Sequence, residues 1–281
     1  MILCRTRREL RSRLRQFREE GSATALVPTM GHLHEGHLAL VDRARELADR
    51  VVVSVFVNPL QFGPEEDLER YPRDLDRDRG LLTHRGADLC FAPSVGEMYP
   101  DGEPRVAVDP GPMARSLCGR HRPGHFRGVL TVVARLFGLV RPQVAVFGRK
   151  DFQQAVLIRT MARDLEMGVQ VETAPVVREA DGLALSSRNI LLGEDERKEA
   201  PALYAGLEEA LRAFQGGERD GSVLLSRIRS SLEGKSCIRV QYAELVDPET
   251  LEPLSSAVPG AVLALAAFVG ETRLIDNLEL L

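Results

Sequence analysis

Between residues 25 and 173, short apolar runs rich in β-branched side chains alternate with stretches of helical periodicity. Few architectures accept that order. The runs 25–28, 51–57, 87–92, 144–147 and 169–173 read as strands, and 35–49, 72–85, 128–140 and 152–166 read as helices. The second run, VVVSVFV, is apolar enough to be buried on both faces, as parallel strands are. Repeated β-α-β units joined by short turns imply a parallel sheet with helices on both faces, a Rossmann-like α/β core. In such sheets ligands gather at the carboxyl ends of the strands.

After residue 173 the pattern changes. Residues 194–214 and 221–232 read as two helices joined by the turn-prone GGERDG, and 238–246, 261–269 and 272–278 as strands. The expectation is a Rossmann-like domain over 1–176 and a smaller α+β domain over 177–281, with the seam near 175–177. The opening segment carries Arg5, Arg7, Arg8, Arg11, Arg13, Arg15 and Arg18. Leu3, Leu10, Leu14 and Phe17 recur among them at roughly helical spacing, so the arginines read as the solvated face of a helix.

A net charge of −4 argues against a protein that coats nucleic acid. No apolar run approaches the ~20 residues needed to cross a bilayer, and no signal-peptide core follows Met1. The four cysteines, Cys4, Cys90, Cys118 and Cys237, are scattered and form no CxxC. Reduced thiols in a cytoplasmic protein fit that usage.

Four segments carry chemistry. The first is VPTMGHLHEGHL, residues 27–38. It is a strand, a glycine-punctuated turn and a helix start, an arrangement that offers backbone N–H groups and a positive helix end to an anion. Gly31 and Gly36 have P-loop spacing, but His37 and Leu38 follow where a P-loop has Lys and Ser or Thr. A zinc-protease HExxH fails because Leu38 stands where the second histidine belongs. His34 and His37, three apart, share a face if they lie on a helical turn. The second segment is FVNPLQFGPEEDLERYPRD, 56–74, where the neutral amides of Asn58 and Gln61 directly follow a strand. The third is FGRKDFQQ, 147–154, with Lys150, Asp151 as an N-cap and Gln154 entering a helix. The fourth is DGLALSSRN, 181–189, whose hydroxyls and arginine suit a polyphosphate. Taken singly, Asn58-Pro59 reads equally as a turn, and 181–189 as a polar loop.

The ordered set PTMGHLHEGH, VNPLQFGP, YPRD, RPGHFRGVLTVV, FGRKDFQQ, READGLALSSRN and TRLIDN resembles the pantoate–β-alanine ligase family of the HxGH nucleotidyltransferase superfamily. The resemblance spans nearly the whole chain and is weakest between 195 and 260. It implies ATP-dependent condensation of pantoate with β-alanine through a pantoyl-adenylate, giving pantothenate, AMP and pyrophosphate. It implies that Met30, Gly31, His32, Leu33, His34, Glu35, Gly36 and His37 wrap ATP, with His37 the catalytic histidine. Gly148, Arg149, Lys150 and Asp151 would contact ATP too, with Val177, Leu185, Ser186, Ser187 and Arg188 closing over it as part of a lid. Gln61 and Gln154 would hold pantoate, with Gln61 also facing β-alanine. Asp78, or Asp76, would help carry Mg²⁺, and the family suggests a homodimer. Two departures are visible: His32 stands where the family has a small residue, and Arg149 where an acidic or amide residue is common.

In that chemistry a carboxylate attacks the α-phosphorus of ATP, so cations and N–H donors must offset the approach of two anions. His34, His37, Lys150, Arg188 and Mg²⁺ suit the task. An adenylyltransferase acting on a phosphate acceptor would call for Arg or Lys where Gln61 and Gln154 stand. A tRNA synthetase fragment lacks its RNA-binding mass here, and intact His34, His37 and Lys150 argue against a catalytically dead nucleotide-binding regulator.

Overall fold

The computed structural model describes residues 1–64 and 68–281. The chain divides into two compact units. The first comprises Met1–Pro112, Arg122–Arg149 and Leu157–Pro175, and the second Met113–His121, Lys150–Val156 and Val176–Leu281. Two short stretches thus group with the C-terminal unit, which a single break at 176–177 does not anticipate. Gln153 links them. Its buried amide donates to the carbonyls of Met113 (3.1 Å) and Ser116 (3.0 Å) and accepts from the Gly119 N–H (3.3 Å).

The N-terminal unit is built on six strands: β1 (Ile2–Cys4), β2 (Thr24–Thr29), β3 (Arg50–Val55), β4 (Leu89–Phe91), β5 (Val144–Gly148) and β6 (Gln170–Ala174). All pairings are parallel, in the order β1-β4-β3-β2-β5-β6. The direction of winding reverses between β2 and β5, and such a switch point opens a crevice at the carboxyl edge. Ala25, Leu26 and Val27 of β2 are all fully buried, so both faces of the sheet are covered. One face packs Val41 and Ala44 of the helix Glu35–Leu47 and Leu82 of the helix Leu75–His84. On β2 also lies the helix His125–Val140, which in turn packs on Arg7–Glu19.

Three expectations need correction. Leu3 lies in β1, not on the opening helix, which starts at Arg7 behind a capping box between Thr6 and Glu9. A three-residue edge strand is too short to show alternation. The stretch 194–214 is two helices, Glu194–Glu199 and Ala202–Gln215, interrupted at Pro201, which has no N–H to continue the ladder. The helix expected over 72–85 starts at Leu75, where Asp74 caps it by accepting the Arg77 N–H (3.0 Å).

The C-terminal unit pairs β7 (Ile238–Val246), β8 (Val262–Val269) and β9 (Thr272–Glu279) antiparallel. Its core joins Leu203, Leu207 and Phe214 of one helix and Leu224 and Ile228 of the helix Gly221–Leu232 to Leu245, Leu263 and Leu265 of the sheet. A buried ion pair crosses this core. The Arg178 guanidinium grips both Asp276 oxygens (2.6 and 3.0 Å) and stacks 3.6 Å from the Tyr204 ring centroid. Burial pushes the Asp276 carboxyl up, against the pull of Arg178. We expect Asp276→Ala to lower stability by about 3 kcal/mol, because it strands a largely buried guanidinium. Urea denaturation checks this, and an unchanged midpoint contradicts it.

Candidate active site

The turn after β2 is fixed partly by its own groups and partly by Asp78 of the helix Leu75–His84. Gly31 (φ 86°) and His32 (φ 50°) are both left-handed. A side chain at Gly31 would put a Cβ 2.9 Å from Val55 Cγ1 and 3.0 Å from Asp78 Oδ2, so only glycine fits. The N–H of Gly31 goes to Thr29 Oγ1 (3.2 Å), that of His32 to Asp78 Oδ2 (2.8 Å) and that of Leu33 to Asp78 Oδ1 (2.7 Å). The backbone N–H groups of Gly31, His32 and Leu33, expected to cradle an anion, are therefore already engaged.

Two histidines follow the turn. His34 is the N-cap of the helix Glu35–Leu47, and His37 lies in its first turn, with ring centroids 4.1 Å apart. His34 Nδ1 accepts the Gly36 N–H (3.2 Å), and His37 Nδ1 accepts the His34 N–H at a longer 3.4 Å. A ring nitrogen that accepts a backbone N–H carries no proton. In its neutral form each ring then carries its proton on Nε2.

A second network orients Gln61. Burial pushes the Tyr99 hydroxyl up to about 12, so it stays protonated and donates to Asn58 Oδ1 (2.9 Å). That makes the other end of Asn58 the donor, to Gln61 Oε1 (3.2 Å) and to the Gly128 carbonyl (3.1 Å). Gln61 Nε2, 3.0 Å from Met30 Sδ, is then its donor end. The Gln61 carbonyl accepts from His125 Nδ1 (2.8 Å), since the Arg122 guanidinium, 3.0 Å from His125 Nε2, can only donate. Gly128 permits the close approach: a Cβ there would lie 2.1 Å from the Leu60 carbonyl oxygen. Glu65, Glu66 and Asp67 of this segment lie outside the described residues.

In the N-terminal unit, the turn 30–37, Asn58 and Gln61 thus follow β2 and β3, while Gly148 ends β5 and Arg149 comes next. Lys150, Asp151, Gln154, Val177, Leu185, Ser186, Ser187 and Arg188 belong to the C-terminal unit. There the Lys150 carbonyl accepts from Asn277 Nδ2 (3.0 Å), and Asp151 lies in a 3-10 turn ahead of the helix Phe152–Asp164. The 178–189 loop is tied down by Arg178, by Asn189 donating to Glu179 and Ala184, and by Arg197 on Glu179 and Asp181. Ser186 Oγ accepts the Arg188 N–H (3.2 Å), and the Leu185 N–H bonds the Val177 carbonyl (2.9 Å).

Asp78 does not have the surroundings of a metal ligand. It is 1% exposed, and both oxygens take backbone N–H groups. Burial pushes its carboxyl up, while the Leu33 and His32 N–H groups and Arg77 hold it down. Asp76 is exposed and pairs with Arg79 (3.3 Å). Among the described residues no group of three or more His, Cys, Asp or Glu is placed to hold an ion. Residue spacing gave no role to Tyr99, Asp276 or Asn277. TRLIDN was visible as a motif, but the partners that explain it lie about a hundred residues away.

The profile of the pantoate-beta-alanine ligase family matches residues 2–279. A pantothenate synthetase of Pelotomaculum thermopropionicum is 50% identical over 277 residues, 99% of this chain and 98% of that protein. The crystal structure of the Thermus thermophilus pantothenate synthetase is 51% identical with a TM-score of 0.94, covering 100% of this chain and 99% of that one. The Francisella tularensis pantoate-beta-alanine ligase, solved with beta-gamma ATP and beta-alanine, is 31% identical with a TM-score of 0.81 over 99% of this chain and 97% of that one. The chain belongs to the pantoate–β-alanine ligase family and is an enzyme that joins pantoate to β-alanine.

Proposed function

We propose that ATP drives the condensation through a pantoyl-adenylate. A pantoate carboxylate oxygen bonds to the α-phosphorus as the bond from that phosphorus to the bridging oxygen breaks, and pyrophosphate leaves. The β-alanine amine, unprotonated, then attacks the acyl carbon. It loses a proton as AMP departs, and pantothenate remains. The observation that carries this reading is that backbone N–H groups engage Nδ1 of both His34 and His37 and fix the two rings side by side. Two preorganised donors, side by side at a carboxyl strand edge, suit phosphate oxygens on which charge builds. Lys150 and Arg188 add positive charge.

By the family resemblance, Met30, Gly31, His32, Leu33, Glu35, Gly36, Gly148, Arg149, Asp151, Val177, Leu185, Ser186 and Ser187 complete the ATP contacts. Gln61 and Gln154 take pantoate, and Gln61 also takes β-alanine. The donor end of Gln61 suits a carboxylate or hydroxyl oxygen, and a neutral amide adds no buried charge. The Francisella relative's complex supports ATP and β-alanine as ligands. Mg²⁺ and a homodimer rest on the resemblance alone, a cytoplasmic location rests on the cysteine usage, and the Asp78 carboxylate does not fit a protein-held Mg²⁺. No helix among the described residues is long and apolar enough to cross a membrane.

We expect His37→Ala and Lys150→Ala each to slow pyrophosphate release about a hundredfold or more while the fold survives, as loss of one charge-stabilising contact typically does. Circular dichroism with a pyrophosphate assay checks this, and near-wild-type release from both folded variants contradicts the site. Gln154→Ala should raise KM for pantoate more than KM for ATP. A raised ATP KM beside an unchanged pantoate KM would assign the pocket the other way round.

A further inference from the structure

We propose that Asp78 is a positioning residue that sets the His34–His37 turn through the backbone of His32 and Leu33, and that it is not a metal ligand. Four observations meet here. Its two oxygens accept adjacent N–H groups at 2.8 and 2.7 Å, a bidentate grip on two consecutive peptides. One of those residues, His32, is a non-glycine held at φ 50° beside a left-handed Gly31. Such a backbone persists only where its surroundings over-determine it. Gly31 is packed against the same Asp78 oxygen, so the carboxylate also limits where the turn can lie. Finally, Arg77 on the same helix donates to the Leu33 carbonyl (2.8 Å), so Leu33 is held at both its N–H and its C=O. The helix Leu75–His84 thus acts as a clamp on the peptide that leads into His34.

The consequence for catalysis follows from geometry. His34 Nδ1 and His37 Nδ1 are fixed by N–H groups within the turn, so the directions of both Nε2–H donors depend on where the 32–33 backbone sits. A shift of about 1 Å in a catalytic group costs on the order of a hundredfold in rate. The proposal rests on the reading that this turn meets the nucleotide. The clamp itself is tested by a measurement that does not require that reading.

The experiment uses Asp78→Asn, which keeps the shape but turns an N–H donor toward one of the two backbone N–H groups. Amide hydrogen exchange of 31–37 is followed in the wild type and the variant, with and without ATP. Steady-state kinetics are run across a Mg²⁺ series. The expected result is exchange at His32 and Leu33 at least tenfold faster and kcat down about a hundredfold. Pantoate KM should stay within about threefold, and half-saturating Mg²⁺ should be unchanged, as loss of transition-state positioning requires. Wild-type exchange at 31–37, or a kcat restored by about tenfold more Mg²⁺, would overturn the proposal. If Asp78→Asn does not fold, Arg77→Ala at an exposed position reads the same clamp. Faster exchange at Leu33 with a smaller fall in kcat supports it, and no change in either overturns it. Failure of ATP to slow 31–37 exchange in the wild type would instead count against the nucleotide reading.

Discussion

One buried carboxylate, that of Asp78, accepts two consecutive backbone N–H groups and holds the turn that leads from β2 into the helix Glu35–Leu47. Without the Asp78 grip, Gly31 and His32 have no evident reason to stay left-handed together, and the chain would leave β2 in another direction. With it, the peptide reverses in three residues and delivers His34 to the N-cap position and His37 to the first turn. The sheet supplies the platform. Parallel strands buried on both faces leave their carboxyl edge as the open side, and reversal of the winding between β2 and β5 makes that edge concave.

The same economy governs polarity. The backbone donors of the turn are largely engaged, by Asp78 and by the turn's own acceptors. Backbone N–H groups hold both imidazoles at Nδ1, which leaves Nε2 as the nitrogen that carries the proton of each neutral ring. The amide of Gln61 is oriented by a chain of hydrogen bonds. A protonated Tyr99 sets Asn58, and Asn58 sets Gln61, so which end of the Gln61 amide donates is decided two residues away. In the C-terminal unit Asp276 and Asn277 divide the work, one on Arg178 and the other on the Lys150 carbonyl.

Much of this was legible in the residues. The β-α-β alternation is strong because buried parallel strands and amphipathic helices each carry their own period, and the placement of Lys150 and Gln61 just past strands follows from it. β1 was not legible because three edge residues carry no period. The break at Pro201 was passed over because apolar periodicity continues across it. The role of Asp78 was hidden for a different reason. The family resemblance implies a metal role for Asp78, and only folding, which closes a 46-residue separation, shows the carboxylate bonded to His32. Asn277 and Lys150 lie 127 residues apart, beyond any local pattern.

Isotope exchange between labelled pyrophosphate and ATP tests the central claim most directly, because it isolates the first half of the reaction. If the acid is activated as an adenylate before the amine is needed, label should pass from pyrophosphate into ATP when pantoate is present and β-alanine is absent. It should not do so when pantoate is omitted. Exchange that appears only once β-alanine is added would contradict a free-standing adenylate, and with it the two-step account of this site.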